Sequence, residues 1–592
     1  MRQTLRKCLA LLDNDKRGRF VALIALNATA GALEAVGALL VLAVLTMIGG
    51  EGQSLELPLV GSLQERFPGT DEQTLLVVTS GIVAAFFVVR AAVLIAQQYF
   101  QARIAHNAGL RLSSRLLRHY LAQPFPFHAA TNSAVLIRNA TNAVQSVVGE
   151  TFVPLIIIAS EAIVVVGLTA VLLLAAPVAT IGGGLFVATV AYLTNRLIRP
   201  RLRDAGAVYL ETGATSYYTL QQALQGVREV KLLHRESYFA DAFDASRVRW
   251  AKSLYNTAAL SNSPRVVMET MFVVGLAAFA AIAGASAAPE ETLALFGLFA
   301  YSVLRILPAV NRIVFAVGNL QFGGASVDEV YAELRRMEAE GTDWPATPRP
   351  RSIQESVELR DVSFVYSGRP MPALQEVNLS IPRGAFIGIA GPTGSGKSTL
   401  LDILIGLQVP TSGSVTIDGV ELRDDVRGWQ ASLGVVSQAV YVLDDTLRRN
   451  IAFGVPDDEV DEAAVLRAVA AARLEELVAS LPEGLDTSVG EHGVRFSGGQ
   501  RQRLAIARAI YRDPEVIVFD EGTSALDRVT EEAVMAALEE LRQDRTIIAV
   551  AHRLTTLRSC TQIVLLEAGR IVDRGTYDEL LARNRTFRSM AS

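Results

Sequence analysis

A glycine-rich stretch at residues 391–399 has the residue types and spacing of a phosphate-binding loop. It reads Gly-Pro-Thr-Gly-Ser-Gly-Lys-Ser-Thr, and the apolar run before it, at 385–390, predicts a strand. Small residues let backbone N–H groups surround a phosphate, Lys397 can reach the terminal phosphates, and Ser398 can ligate Mg²⁺. The stretch therefore predicts a nucleoside triphosphate site made of Gly391, Pro392, Thr393, Gly394, Ser395, Gly396, Lys397, Ser398 and Thr399.

Two carboxylates end a second apolar run and could complete the chemistry of phosphate hydrolysis. Residues 516–519 are Val-Ile-Val-Phe, which predicts a buried strand, and Asp520 and Glu521 follow directly. Asp520 would hold Mg²⁺ through water, and Glu521 would orient or deprotonate the attacking water. Together with the phosphate loop, the pair predicts that the bound triphosphate is hydrolysed.

A second anion site is predicted where Ser-Gly-Gly-Gln, at 497–500, opens a helical run at 501–510. The free N–H groups and the dipole of a helix N-terminus favour an anion. One chain has no need of a second phosphate site unless that site serves the nucleotide of a partner. The residues expected to contact a partner's nucleotide are Ser497, Gly498, Gly499 and Gln500.

The composition divides the chain into an apolar half and a globular half. Hydrophobic residues make up 51% of the 592 residues and charged residues only 19%, which is more apolar than an ordinary soluble enzyme. The excess lies in 20–320, whereas 355–592 has a globular composition. The formal charge is −5 and no basic tract suggests nucleic-acid binding. Cys8 and Cys560, the only cysteines, argue against a disulfide framework or a cysteine metal site.

The apolar half predicts six membrane-spanning helices. A bilayer with about 30 Å of hydrocarbon takes about 20 helical residues per span. The segments of that length and composition lie near 20–48, 74–99, 150–174, 177–198, 264–287 and 293–318. We therefore expect a membrane domain at 20–325, preceded at 1–19 by a cytoplasmic amphipathic helix rather than a secretory signal. A proline-containing linker at 326–354 would lead to a nucleotide domain at 355–592.

The loops between the spans predict which side of the membrane they face. The loops expected to be external, 49–73, 175–177 and 288–292, contain Arg66 as their only lysine or arginine. The other connections are rich in basic residues, namely Arg103, Arg111, Arg115, Arg118, Arg138, Arg201, Arg203, Arg228 and Lys231. Basic loops stay in the cytoplasm, so both termini and the nucleotide domain are expected there.

Two long cytoplasmic connections, 100–149 and 199–263, each contain a short elbow. These elbows, at 124–128 and 230–239, are candidates for joints that contact a nucleotide domain. Plain interhelical turns are the alternative interpretation.

Four arginines lie inside or beside the predicted spans, at Arg90, Arg265, Arg305 and Arg312. An arginine near the centre of a spanning helix costs about 2.5–3.5 kcal/mol on insertion scales, so it should face water, a carboxylate or an anionic cargo. Arg305 and Arg312 are seven residues apart and therefore share one helix face. Because arginine binds phosphate oxygens bidentately, the set suits a phosphate-bearing substrate. Two alternatives stay open: Arg265 could simply mark a helix start, and Glu34, Glu161 and Glu269 could neutralise the arginines in purely structural pairs.

The motifs of the globular half, taken together, resemble an ATP-binding cassette (ABC) domain. To the phosphate loop, the Ser-Gly-Gly-Gln stretch and Asp520-Glu521 they add Ser524-Ala-Leu-Asp527 and His552. The resemblance implies that Tyr366 stacks on adenine, Gln438 senses Mg²⁺ and the γ-phosphate, and His552 is the switch histidine. It also implies that Asp527 lies at a dimer interface and that 487–491 touches a partner's coupling helices. Two departures, Phe496 for the usual Leu and Gly522 for Ala, remove no reacting group.

Six spans followed by one cassette resemble the exporter type of ABC half-transporter. The resemblance implies an α-helical membrane domain followed by an α/β P-loop ATPase domain, with ATP and Mg²⁺ as cofactors. It also implies an ATP hydrolase coupled to transport, with two chains surrounding a central cavity. Since the phosphate loop, the signature, Glu521 and His552 are all intact, two identical chains would form two competent sites. A homodimer is the simpler prediction, and a heterodimer with a degenerate partner is the alternative.

The membrane half resembles bacterial lipid-linked oligosaccharide flippases in the segments around Arg90, 263–265, 305–312, 34–37 and 230–233. The resemblance implies a multi-pass protein of the inner membrane whose arginines engage the pyrophosphate of a polyprenyl-linked glycan. It also implies an external helix, at 59–67, that meets the lipid tail. A general lipid, drug or peptide exporter is one alternative. An ATP-gated channel or regulatory ABC protein is another alternative. The intact hydrolytic residues argue against it, because a gate can dispense with Glu521.

The proposed base gives the first prediction. We expect Glu521→Gln to leave ATP binding intact and nearly abolish hydrolysis, because the amide cannot take a proton from water. ATPase assays beside nucleotide-binding measurements check this. A variant that keeps most of its turnover would contradict the assignment of Glu521.

Overall fold

A computed structural model of the chain describes most of its residues. The described ranges are 72–175, 177–284, 289–340, 348–490, 493–520, 545–550 and 554–591, with 6–7, 10–11, 25–34, 36–37, 40–41 and 44 near the N-terminus. The chain divides into two compact units. The first comprises Met1–Gln123 and His128–Trp344, and the second comprises Pro124–Phe127 and Pro345–Ser592.

Long helices build the first unit. In chain order the described helices are α1 (Glu72–Ala122), α2 (Phe125–Ala130), α3 (Ser133–Arg138), α4 (Val144–Val147), α5 (Val153–Ala175), α6 (Pro177–Gln225), α7 (Val227–Leu232), α8 (Glu236–Gly284), α9 (Pro289–Phe322) and α10 (Gly324–Glu340). Two π-helical turns, Asn139–Ala143 and Val148–Phe152, join α3, α4 and α5. At 1.5 Å per residue the 49-residue helices α6 and α8 are about 74 Å long, more than twice the hydrocarbon thickness of a bilayer.

The predicted spans coincide with these helices wherever the structure describes them. Among the residues that the structure describes, three helical stretches are long and apolar enough to cross a membrane, Val77–Ala122, Ser133–Ala170 and Thr180–Gln225, and a shorter apolar helix covers Ile306–Phe322. The second, third and fourth predicted spans lie in the three long stretches. The fifth lies mostly in α8 and the sixth in α9, while the first is only partly described. The number of spans stays a prediction, and the external helix expected at 59–67 lies outside the described residues.

Small residues let α6, α8 and α9 approach closely. A Cβ atom added at Gly206 on α6 would lie 2.1 Å from the carbonyl oxygen of Phe322 on α9. The Tyr209 ring packs between Trp250 of α8 and Phe322, with centroids 5.8 and 5.2 Å away. Ser253 of α8 donates a hydrogen bond to the Ala205 carbonyl at 2.6 Å. The three helices therefore meet at a junction that depends on the absence of a side chain at Gly206.

The linker expected at 326–354 begins with helix rather than extended chain. Helix α10 belongs to the first unit, and its Val327, Val330 and Leu334 are buried. Its Asp328 accepts a hydrogen bond from Lys7 at 2.5 Å, which ties the N-terminal segment to it. The boundary between the two units, at Trp344 and Pro345, falls inside the predicted linker.

Each predicted elbow contains part of a short helix. The first is α2, whose Phe125–Phe127 are grouped with the second unit. The second joins α7 to α8 through His234, which adopts a positive φ of 51°. Their proposed contact with a nucleotide domain stays a prediction.

The second unit is an α/β domain with two sheets. Its strands are β1 (Ser356–Phe364), β2 (Leu374–Pro382), β3 (Phe386–Ala390), β4 (Ser412–Ile417), β5 (Val420–Glu421), β6 (Leu433–Val436), β7 (Val516–Asp520), β8 (Thr546–Val550), β9 (Gln562–Glu567) and β10 (Arg570–Gly575). Its α-helices among the described residues are α11 (Lys397–Leu404), α12 (Val426–Ala431), α13 (Leu447–Ile451), α14 (Glu462–Ala471), α15 (Glu475–Ser480), α16 (Gly498–Tyr511), α17 (Tyr577–Arg583) and α18 (Arg585–Ala591).

The larger sheet positions the predicted chemistry. Its strand order is β10-β9-β3-β8-β7-β6, and every pair from β9 to β6 is parallel. All five residues of β3 are buried, as a central parallel strand requires. A smaller antiparallel sheet has the order β2-β1-β4-β5. Because β3, β7 and β6 run in the same direction, the segments that follow them emerge at one edge of the sheet.

The junction at Gly206 gives a stability prediction. We expect Gly206→Ala to destabilise the folded protein by about 1–3 kcal/mol, because the atom that a methyl group would strike is a backbone oxygen and cannot rotate away. Gly183→Ala in the same helix is the control, since no described atom lies within 4 Å of its added Cβ. Thermal unfolding in detergent checks this. Equal melting temperatures for the two variants would contradict the close approach.

Candidate nucleotide site and membrane cavity

The phosphate loop connects β3 to α11 through backbone shapes that require glycine. Gly391, Gly394 and Gly396 have φ angles of 154°, 81° and 103°. A Cβ at Gly391 would lie 2.2 Å from the Leu566 carbonyl oxygen, and one at Gly396 would lie 2.6 Å from the Ala373 carbonyl oxygen. The loop therefore folds over the ends of neighbouring elements with no room for side chains at these two positions.

Lys397, the first residue of α11, is held inside this loop. Its ammonium donates hydrogen bonds to the carbonyl oxygens of Gly391 at 2.8 Å and Pro392 at 3.0 Å. The Ser395 hydroxyl is buried and has no hydrogen-bond partner among the described residues. A confined lysine, an unpartnered buried hydroxyl and the N-terminus of α11 fit a phosphate group. Ser398 is exposed at the same helix end, where it could ligate Mg²⁺.

Asp520 and Gln438 come to the same edge of the sheet as the loop. Asp520 is the last residue of β7, and Gln438 follows the end of the adjacent parallel strand β6 by two residues. Asp402, on α11, also lies near Asp520. Burial, and secondly the negative charge of Asp520, raise the pKa of the Asp402 carboxyl. The topology thus places acidic and amide oxygens near Ser398, a donor set that suits Mg²⁺. Glu521, Asp527 and His552 lie outside the described residues.

Tyr366 lies beside the phosphate loop. Its hydroxyl is 3.0 Å from the Thr399 hydroxyl on α11, and its half-buried ring packs edge-on against Phe364 with centroids 4.8 Å apart. The hydroxyl contact anchors the ring next to the helix that carries Lys397. The partial exposure leaves ring surface for a base to stack on.

The Ser-Gly-Gly-Gln stretch begins α16 as expected. Ser497 is the N-cap, and its hydroxyl accepts a hydrogen bond from the Gln500 N–H at 3.2 Å. The Gln500 side-chain oxygen accepts in return from the Ser497 N–H at 2.8 Å. This reciprocal pair is a capping box, which fixes the helix start. Ser497 is exposed and Gly498 and Gly499 are half-buried, so the helix end is accessible to a ligand.

Arg508 is a positioning residue that the sequence interpretation missed. Its partly buried guanidinium donates to the carbonyl oxygens of Tyr441 at 2.8 Å and Asn450 at 2.9 Å, and to the Asn450 side chain at 3.1 Å. Helix α16 is thereby joined to the segment that follows Gln438. The signal available in the sequence was an arginine within the apolar run 504–510.

A cavity of about 720 Å³ lies among the helices of the first unit. Its lining residues are Asn27, Ala30, Glu34, Arg90, Leu94, Gln97, Gln98, Gln101, Ala102, His106, Val153, Ile156, Ile157, Ser160, Glu161, Val164, Pro308 and Arg312. Two of the four predicted substrate arginines, Arg90 and Arg312, are among them. Arg265 is not, and the side chain of Arg305 lies outside the described residues.

The described arginines of this set are paired with carboxylates. Arg90 forms an ion pair with Glu34, and its guanidinium lies 5.1 Å from the centroid of the Phe87 ring. Arg312 binds Glu161 through two hydrogen bonds. The exposed Arg265 pairs with Glu269, one helical turn away, at 2.7 Å. Both carboxylate pairing and a cavity location, which the sequence left as alternatives, hold for Arg90 and Arg312.

A cluster of uncharged polar side chains lines the same cavity, and sequence reasoning did not anticipate it. The side-chain nitrogens of Gln97 and Gln101 both donate to Asn27, each at 2.8 Å, and to Ser160 at 2.8 and 3.2 Å. Gln97 and Gln101 are four residues apart, and Gln97 is seven from Arg90, so all three share one face of α1. That spacing was the signal available in the sequence.

The capping box at Ser497 gives a prediction with a matched control. We expect Ser497→Ala and Thr576→Ala each to cost about 1 kcal/mol of stability, because both residues cap a helix through the same reciprocal geometry. Only Ser497→Ala should lower ATP turnover, by roughly tenfold or more, because only that hydroxyl is expected to meet phosphate. Melting curves and ATPase rates of both variants check this. Equal ATPase rates would contradict a ligand role for Ser497.

Comparisons with known proteins agree with this architecture. The family described as "ABC transporter transmembrane region" matches residues 16–306, and the family described as "ABC transporter" matches residues 374–524. The structure of a bacterial Atm1-family ABC exporter with ATP bound is similar over 98% of both chains, with a TM-score of 0.79. At 22% sequence identity this likeness shows the fold alone. It confirms the predicted fold class, a helical transmembrane domain followed by a nucleotide-binding domain.

Curated relatives cover most of the chain. The ATP-dependent lipid A-core flippase of Ralstonia nicotianae is 31% identical over 508 residues, which is 84% of each chain. The protein of the same name from Photobacterium profundum is 28% identical and covers 91% of this chain and 92% of its own length. Together with the two family matches, this similarity shows that the chain belongs to the ABC transporter family, as a membrane-embedded half-transporter of the exporter type that couples ATP hydrolysis to transport.

Proposed function

We propose that this ABC exporter moves an anionic glycolipid from the cytoplasmic to the outer leaflet of the bacterial inner membrane. The preferred cargo is an oligosaccharide linked to a polyprenyl pyrophosphate. The observation that carries the proposal is the cavity, which contains the exposed Arg312 and a cluster of amides within apolar helices. A hydrocarbon tail alone would need none of these groups.

The cavity has the chemistry for a phosphorylated sugar headgroup. Arginine binds phosphate oxygens through a planar fork and keeps its charge at every relevant pH. Gln97, Gln101 and Asn27 carry amides that donate and accept hydrogen bonds, as sugar hydroxyls require. Arg305, seven residues before Arg312 on α9, would extend the same face, whereas Arg265 pairs with Glu269 and does not line the cavity.

The energy would come from ATP bound between two chains, each supplying half of each site. The phosphate loop and Tyr366 of one chain would bind the nucleotide, and Ser497, Gly498, Gly499 and Gln500 of the other would close on it. Ser398, Gln438 and Asp520 would hold Mg²⁺, which neutralises phosphate charge. Glu521 would activate water, and His552 would contact the γ-phosphate. Because one chain carries a full set, we propose a homodimer.

The proposed orientation follows from charge. The basic connections between the predicted spans support a cytoplasmic location for the nucleotide domain and both termini. Closure of the two nucleotide domains would then turn the cavity outward, and hydrolysis would reset it.

The second candidate cargo is the lipid A-core for which the curated relatives are named. Their similarity extends through the membrane region, since the match with the Ralstonia nicotianae protein covers 84% of this chain. The same cavity would serve this cargo, so the two candidates differ in headgroup and tail and not in mechanism.

The test is the ATPase rate in liposomes that contain a polyprenyl-pyrophosphate glycan, a lipid A-core or a neutral lipid. We expect the preferred cargo to stimulate the wild type, and the double variant Arg305→Ala, Arg312→Ala to lose the stimulation while keeping its basal rate. Arg335→Ala is the control, because this exposed arginine lies on α10 outside the cavity. Stimulation by the lipid A-core alone would favour the second candidate. No response to either glycolipid would contradict an anionic glycolipid cargo.

A further inference from the structure

The pair formed by Arg312 and Glu161 engages only one edge of the guanidinium. Nε donates to one carboxylate oxygen at 2.7 Å and Nη2 donates to the other at 2.9 Å. The remaining nitrogen, Nη1, makes no hydrogen bond with any residue that the structure describes. A guanidinium has five N–H donors, so a second oxyanion can bind at the edge formed by Nη1 and Nη2.

The two members of this pair differ in exposure. The Arg312 side chain is 56% exposed, whereas that of Glu161 is 16% exposed. Both residues line the cavity, and the guanidinium is the more open of the two charged groups. An anion that enters the cavity therefore reaches Arg312 before it reaches Glu161.

The pair formed by Arg90 and Glu34 has a different geometry. Its side chains are only 8% and 12% exposed, and the guanidinium also lies near the Phe87 ring. Separating this pair would break an ion pair between two buried charges, which is strongly unfavourable. The pair formed by Arg90 and Glu34 therefore has a structural role. Arg312 is the described cavity arginine that a ligand can reach.

The negative charge on Glu161 weakens the attraction between Arg312 and an anion. An anion at the free edge lies closer to the guanidinium than to the carboxylate behind it, so the net force is attractive. It is weaker than the attraction of an unpaired arginine would be, because the carboxylate repels the anion. A transporter gains from this balance, because a headgroup that is bound too tightly is not released.

Resting on the proposed function, we propose that Glu161 is a specificity-determining residue of the cargo site. It orients the free edge of Arg312 toward the cavity and limits the affinity of that edge for the phosphate of a lipid headgroup. The glycolipid then binds beside the ion pair, without displacing the carboxylate, and leaves when the cavity opens outward.

The test is a titration of liposome ATPase activity with a polyprenyl-pyrophosphate disaccharide. We expect Glu161→Gln to lower the half-maximal concentration roughly tenfold, because a repelling charge is removed. The maximal stimulated rate should fall, because release becomes slower. Glu161→Asp, which keeps the charge, should stay near wild type. Glu338→Gln, which removes the partner of the exposed Arg335, is the control and should change neither value.

The outcomes separate this proposal from the function on which it rests. If the wild type responds but Glu161→Gln has an unchanged or higher half-maximal concentration, the role of Glu161 is overturned and the glycolipid function stands. If the wild type does not respond to the disaccharide lipid, the polyprenyl-pyrophosphate cargo and the role of Glu161 in binding it are both overturned. Glu161→Ala provides a second neutral variant should the glutamine variant fold poorly. A matching polyprenyl glycoside without phosphate should give the same half-maximal concentration with the wild type and with Glu161→Gln. If Glu161→Gln lowered the half-maximal concentration of that lipid equally, the role of Glu161 in anion binding would be overturned.

Discussion

Buried cations need oxygen acceptors, and this constraint shapes both halves of the chain. A charged group removed from water is tolerated only when hydrogen bonds and opposite charges replace its hydration. The phosphate loop supplies two carbonyl oxygens to Lys397, and the segment after β6 supplies carbonyl oxygens to Arg508. Between the apolar helices, the carboxylate of Glu34 serves the same purpose for Arg90.

The kind of acceptor separates groups that bind ligand from groups that hold structure. Carbonyl oxygens carry only partial charge, so Lys397 keeps its attraction for a phosphate that enters the loop. A carboxylate neutralises its partner, so an arginine paired in a buried site, such as Arg90, has little attraction left for an anion. Arg312 is intermediate, because its carboxylate partner covers one edge while the side chain stays 56% exposed.

The parallel sheet links the nucleotide chemistry to the rest of the second unit. The phosphate loop, Asp520 and Gln438 follow β3, β7 and β6, so a single edge gathers residues from distant parts of the chain. Arg508 then joins α16, which begins at Ser497, to the segment after Gln438.

The sequence by itself determined the features that depend on neighbouring residues. The glycine spacing of the phosphate loop, the apolar strand before Asp520, the start of α16 at Ser497 and the long apolar helices all follow from local patterns, and the structure shows each of them where it describes the chain. Only the tertiary structure decided that Arg312 meets Glu161, 151 residues away, and that Gln97 meets Asn27 and Ser160. It also decided that α10 extends into the expected linker and that Arg265 lies outside the cavity lining. The physical reason is that helical periodicity fixes the face on which a residue lies, whereas the packing of separate helices fixes what that face meets.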